Sequence, residues 1–303
     1  MYKKPLRVYL KNNIALYTMI LPGFLVILIF SYFPIYGIVM AFQDFKPALG
    51  FFRSEFVGFK YFQRITTDRH IGVTFKNTVL LGLYSLLINF PAPIILALLF
   101  NEIRHDRFKK IAQTISYMPH FLSTVIVVGL MKDMLSTNGG IVNLALDALG
   151  KTTIDFFTRS SWFRTLYIGS GLWQGIGFGT IIYLAAIAGV NPELYESAVL
   201  DGATRFQQAV RITLPCIKPT VLILFIFAVG GILGNDMQKI LLIYSPATYS
   251  TSDVISTYVY RHGIEGTSQS YSAAVGLSMS VISLLFLVIT NYVCKILGEN
   301  SLW

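Results

Sequence analysis

The chain has 303 residues, 54% of them hydrophobic and 13% charged, whereas a soluble domain carries about 25% charged residues. Too few charges remain to cover a water-facing surface, so the composition excludes an ordinary soluble enzyme and indicates a polytopic membrane protein. The formal charge of +9 fits attraction to anionic lipid and the Lys/Arg bias that orients membrane proteins, and without a soluble basic module it does not indicate nucleic-acid binding.

A helix crossing the hydrocarbon needs about 20 apolar residues. Six uncharged windows meet that need, at 12–43, 77–101, 111–131, 165–192, 219–235 and 266–294. The first follows the basic start "YKKPLRVYLK". Its apolar core is too long for a signal peptide and no small-residue cleavage site follows, so it reads as a retained span with Pro34 bending or ending it. Lys3, Lys4, Arg7 and Lys11 precede it, and the short connection "NEIRHDRFKK" carries Arg104, Arg107, Lys109 and Lys110. The positive-inside rule puts both in the cytoplasm, with both termini inside. The division expected is a cytoplasmic start (1–13), a first span (14–42), an outer segment (43–70), a transmembrane domain (71–290) and a cytoplasmic tail (295–303). The domain's spans fall at about 74–100, 111–131, 165–189, 216–235 and 272–294. Residues 134–146 and 240–252 are uncharged but too short and polar to span.

Several motifs tempt and fail. "LDALGKTT" ends like a phosphate-binding loop, but Ala145 stands where the pattern needs glycine, so it reads as a loop turn. In "GSGLWQGIGFG" no strand precedes the glycines. Gly171, Gly175 and Gly179 recur every four residues on one helix face, which is a close-packing pattern for membrane helices. The four histidines are scattered, and Cys216 and Cys294 stand alone, so neither a metal site nor a catalytic set is indicated. Trp173 and Gln174 in the fourth span, and Asn235, Asp236 and Gln238 at the outer end of the fifth, are the polar candidates for a substrate pathway. The alternatives for them are lipid contact, packing or an ordinary interfacial position.

The polar stretch "YESAVLDGATRFQQAVRITLP" faces the cytoplasm in this topology. Asn191 caps a helix with Pro192 at its first position and Glu193 in its first turn, expected to run to about Leu200. Gly202, beside Asp201, supplies a turn. A second helix follows, with Phe206, Ala209, Val210, Thr213 and Leu214 along one stripe, and Pro215 and Pro219 bending it into the fifth span. Acids at the tip are repelled by anionic lipid, so docking to a soluble protein is favoured over lying on the membrane.

The spacing Glu196-Ser197-Ala198, Gly202 and Ile212-Thr213-Leu214-Pro215 resembles the EAA loop of bacterial ABC importer permeases, with Ser197 in place of alanine. "NFPAPIILALLFNEIR", "SYMPHFLSTVIVVGL" and the ending "GENSLW" extend the likeness to LplB-like permeases for complex carbohydrates. The resemblance implies an all-α, six-span type I importer fold in the bacterial cell membrane. It makes Tyr195, Glu196, Ser197, Ala198, Leu200, Asp201, Gly202 and Ala203 the surface that couples to an ATPase. It also implies a second, homologous permease, two ATPase subunits that bind the ATP and Mg, and an extracellular carbohydrate-binding protein that delivers an oligosaccharide. This chain itself is then a non-catalytic permease without cofactor. A non-sugar solute is the alternative. A secondary carrier would need ionisable residues in the spans, which hold almost none, and a membrane enzyme would need an acid or histidine constellation.

Overall fold

The computed structural model describes residues 12–266 and 268–296. Lys3, Lys4, Arg7 and Lys11 and the "GENSLW" ending lie outside the described residues. Among the described residues, five helical segments are long and apolar enough to cross a membrane: Ile14–Phe42, Arg69–Glu102, Ser160–Ala188, Arg205–Gly230 and Gln269–Ile296. A sixth candidate is a bent pair.

The first span opens as α1 (Ile14–Ile27), passes through a π turn at Leu28–Tyr32 and tightens into a 3-10 segment, Phe33–Phe42. Pro34 does not end it. It sits where the π turn gives way to the 3-10 segment, a change of ladder that its missing N–H favours, and the helix stops at Gln43, whose backbone is extended. None of α1 is buried, and the 3-10 segment packs on the last span. A small cap follows: β1 (Gln43–Asp44) pairs antiparallel with β2 (Glu55–Phe56) across α2 (Gly50–Arg53), and α3 (Lys60–Thr67) leads to the second span.

The second span is α4 (Arg69–Asn89) joined at Phe90 to α5 (Pro91–Glu102). Asp68 caps it, accepting from the His70 N–H. The third window does not form one helix. α6 (Asp106–Tyr117) gives way to a 3-10 turn at Met118–Phe121, and α7 (Thr124–Leu135) departs at 100°. Pro119 cannot continue the α ladder, and Ser123 starts a new helix by accepting from the Ile126 N–H. The absence of charge over 111–131 hid that break.

After α8 (Ile141–Ala148) the longest element, α9 (Ser160–Ala188), runs through the centre and packs against α4, α5, α6 and α12 (Leu214–Gly230). Its glycine pattern works differently from the expected stripe. The closest approach is at Gly177, where a Cβ would collide with the Ser116 carbonyl. Gly179 lies against Pro93 and Gly171 near Asn89, while Gly175 meets nothing. Close packing is therefore real, but its centre is off the every-fourth-residue stripe.

Between α9 and the fifth span lies α10 (Pro192–Leu200), and the span itself opens as α11 (Arg205–Gln208) and a π turn at Ala209–Thr213 before continuing as α12. The fifth span, Arg205–Gly230, stops five residues short of the expected 235, at a turn beginning with Gly231. Short helices α13 (Met237–Ile243), α14 (Tyr249–Ser252) and α15 (Ile255–Tyr260) then precede α16 (Gln269–Ile296).

Candidate functional site

The first candidate site is the hairpin of α10 and α11. Asn191 caps α10 by accepting from the Glu193 N–H at 3.1 Å. At the far end the Gly202 N–H donates to the Val199 carbonyl and the Ala203 N–H to the Ala198 carbonyl, at 3.0 and 2.8 Å. This nested pair closes the helix, and it requires the left-handed backbone that Gly202 adopts at φ 75°. Thr204 and Gln207 then start α11 as a capping box.

The turn is fixed from two sides. Tyr195 Oη lies 2.9 Å from Thr213 Oγ1, which ties the two arms together. Arg205 donates to both the main-chain oxygen and the carboxylate of Glu102, each at 3.2 Å, and so holds the hairpin to the end of α5. What remains is exposed: Glu196, Asp201 and Gly202 face out, and so do Val199, Leu200 (88% exposed) and Phe206 (77%). Tyr195, Ala198 and Ala203 are half-buried beneath them, and Ser197 turns its hydroxyl back to the Glu193 carbonyl. The stripe expected from Phe206 to Leu214 is not one face. Thr213 is buried while Phe206 is bare, because the π turn rotates the helix between them.

The second candidate site lies near the middle of α9. Gln174 donates to the Leu122 carbonyl at 2.8 Å, satisfying main chain freed by the bend of the third span. Its oxygen accepts from Lys239 Nζ at 3.5 Å. Trp173 points elsewhere: it is half-exposed and lines an apolar recess of about 460 Å³ with Val127, Met131 and Leu166. Trp173 and Gln174 therefore do not share one surface. Asp236 caps α13 by accepting from the Lys239 N–H, Asn235 donates weakly to the Thr78 carbonyl, and Gln238 is exposed.

Lys239 was not among the sequence candidates, yet it is buried to 6% exposure, with its ammonium 5.8 Å from the Tyr167 ring. Beside it a cavity of about 310 Å³ is lined by Ser85, Asn89, Tyr167 and Asn235. The signal that could have found it is a lysine opening the apolar run of "NDMQKILLI" close behind the fifth span.

At the opposite end from the hairpin, Asp68 accepts from Tyr258 and Tyr271 at 2.7 and 2.8 Å. Burial alone would raise its carboxyl, but those two hydroxyls and the His70 N–H hold it below the usual range. Burial and the Asp68 hydrogen bond push the Tyr258 hydroxyl up. Arg261 pairs with Asp253 at 2.6 Å. The phosphate-loop lookalike is a helix stop: the Gly150 and Lys151 N–H groups close α8 on Asp147 and Leu146. Among the described residues no cluster of His, Cys, Asp or Glu could hold a metal ion.

This architecture has close relatives. Residues 74–296 match the family model of the binding-protein-dependent transport system inner membrane component. The chain is 42% identical to the polygalacturonan/rhamnogalacturonan transport system permease protein YteP of Bacillus subtilis, covering 99% of this chain and 94% of that protein. It is 39% identical to Protein LplB of the same organism, over 97% and 92%. A solved bacterial ABC transporter involved in import of the acidic polysaccharide alginate superposes with a TM-score of 0.88 at 42% identity, covering 96% of this chain and 99% of that one. A second structure of the alginate transporter, in complex with a periplasmic protein bound to an alginate pentasaccharide, gives 0.89 at 40% identity, covering 99% and 100%. A family match over most of the chain, joined to a broken-span helical fold with an exposed capped hairpin, makes this multi-pass membrane protein a permease of the binding-protein-dependent transport family.

Proposed function

We propose that the chain is one of two membrane-spanning subunits of an ATP-driven importer that passes an oligosaccharide delivered by an extracellular binding protein. The hairpin is the observation that carries this reading. It exposes Val199, Leu200 and Phe206 around Glu196 and Asp201, a small apolar and acidic knob fit for a basic cleft on a soluble partner. ATP and Mg belong to that partner, a separate ATPase present in two copies. The relatives support the solute class: one carries polygalacturonan and rhamnogalacturonan in its name, another imports alginate. The hairpin end then faces the cytoplasm of a bacterial cell, with both termini on that side.

In this reading ATP binding closes the ATPase pair on the hairpins and rocks the spans from inward-facing to outward-facing. The binding protein releases the sugar into the opened passage near Gln174 and Asn235, and hydrolysis resets the cycle. Coupling requires the ATPase to grip the hairpin differently in its two states, because a ligand shifts an equilibrium only by its differential affinity.

The test is Gly202→Asp in the assembled complex. It places a side chain and a charge at the knob where φ is 75°. Sugar-stimulated ATP hydrolysis is expected to disappear while affinity for the loaded binding protein is kept. Unchanged stimulation overturns the assignment.

A further inference from the structure

Lys239 is a buried cation whose nearest anion, Asp236, favours its charge without contacting the ammonium. Among the described residues no carboxylate forms an ion pair with it. Its near neighbour Asp236 spends Oδ1 on the Lys239 main-chain N–H. The ammonium instead reaches an uncharged oxygen, that of Gln174, at 3.5 Å, over the Tyr167 ring. A buried ammonium so weakly served is costly in a low-dielectric interior, and ionisable groups at membrane depth as a rule face a solute path.

The cavity beside it is set for hydroxyls. Ser85 Oγ and Asn89 Oδ1 are both buried without a hydrogen-bond partner, and both residues line the cavity. Asn89 Nδ2 and Lys239 Nζ converge on Gly171, where a Cβ would stand 3.4 and 3.8 Å from them. Arg164, Tyr167, Gly171 and Gln174 follow one another at helical spacing, so they form one polar stripe about 15 Å long on α9. Arg164, at the other end of that stripe, repeats the pattern. It donates to the uncharged Asn77 Oδ1 at 3.2 Å, and its Nε is buried without a partner.

We propose that Lys239 is a specificity residue that binds a carboxylate of an acidic oligosaccharide as the sugar's hydroxyls pass Ser85 and Asn89, with Arg164, beside a neighbouring recess on the same helix, as a second cation. This rests on the oligosaccharide-importer reading above. The lysine's flexible stem carries the ammonium from Gln174 into the cavity, where a carboxylate supplies the direct contact that Asp236 does not make. A neutral sugar leaves the cation as it stands, so the site discriminates by charge.

The full importer, with its ATPase and binding protein, is reconstituted in liposomes. Uptake is measured for trigalacturonate and for the same trisaccharide with its carboxyls reduced to alcohols, each rate normalised to the fraction of binding protein loaded. Lys239→Gln is expected to slow the charged probe about ten-fold or more and the neutral probe less than about two-fold. Lys239→Arg keeps the charge and is expected to restore much of the charged rate, which a merely structural role would not require. Arg164→Gln is expected to shift the ratio the same way by a smaller factor. Equal losses for both probes, or no loss in Lys239→Gln, overturn the proposal. A wild-type importer that carries only the neutral probe overturns it and leaves the importer reading standing. One that carries neither probe overturns both.

Discussion

Gln174 donates its side-chain amide to the carbonyl of Leu122 at 2.8 Å, at the place where the third span turns through 100°. A broken helix at membrane depth is tolerated only when its freed main-chain groups find partners. Gln174→Leu removes the donor and keeps the bulk. It is expected to destabilise the protein by about 1–3 kcal/mol, the cost of an orphaned buried acceptor. Thermal unfolding in detergent measures it, and an unchanged midpoint would show that the bend does not depend on this bond.

The left-handed turn at Gly202 orders its substitutions by backbone rather than by size. Open space surrounds the position, so a side chain fits but the backbone conformation resists it. The conformation costs an ordinary residue about 1–2 kcal/mol, and asparagine less. ATPase coupling should therefore survive Gly202→Asn better than Gly202→Val. The reverse order in a coupling assay would place the requirement in the side chain.

Gly177 behaves oppositely, since its backbone is ordinary helix and only space is lacking. Gly177→Ala drives a methyl into the Ser116 carbonyl, so α6 and α9 must separate. Overpacking of this kind costs about 1–3 kcal/mol. Gly175→Ala, which meets nothing, serves as the control and is expected to leave the melting temperature unchanged or slightly raised.

Asp68 makes stability depend on acid pH. Its folded carboxyl lies below the ordinary value of 3.8, with burial opposed by Tyr258, Tyr271 and the His70 N–H. Its contribution is therefore complete above the unfolded value and is lost as pH falls through the lower folded one. Stability should hold from about pH 7 to about pH 5 and fall at lower pH, and Asp68→Asn should lessen that fall. Matching acid limbs in the two proteins would contradict the assignment.

The hairpin was the most legible part of the sequence. Asn191, Pro192 and Gly202 act through the main chain next to them, and the sequence displays such signals directly, although the Thr204 capping box was not read from it. The spans were legible as apolar runs, but hydropathy records composition and not direction. The bend after Pro119 therefore passed as a straight crossing, and the end of the fifth span was set late. The proposed passage was legible least. Trp173 and Gln174 are neighbours in sequence but face different ways, while Asn89, Gln174 and Lys239 come together from three elements. Only tertiary packing unites them.

The fifth span begins inside the hairpin. One continuous helical segment runs from Arg205 to Gly230 and ends at the turn that carries Asn235 and Asp236 toward Lys239. Its near end is pinned by Thr213 to α10 and by Arg205 to Glu102. A single rod about 39 Å long thus lies between the two candidate sites, entered from the knob through the Gly202 turn and left through the turn at Gly231. In the proposed importer a stroke applied at the knob travels along this rod toward Lys239, and the clasp to Glu102 shares it with the second span.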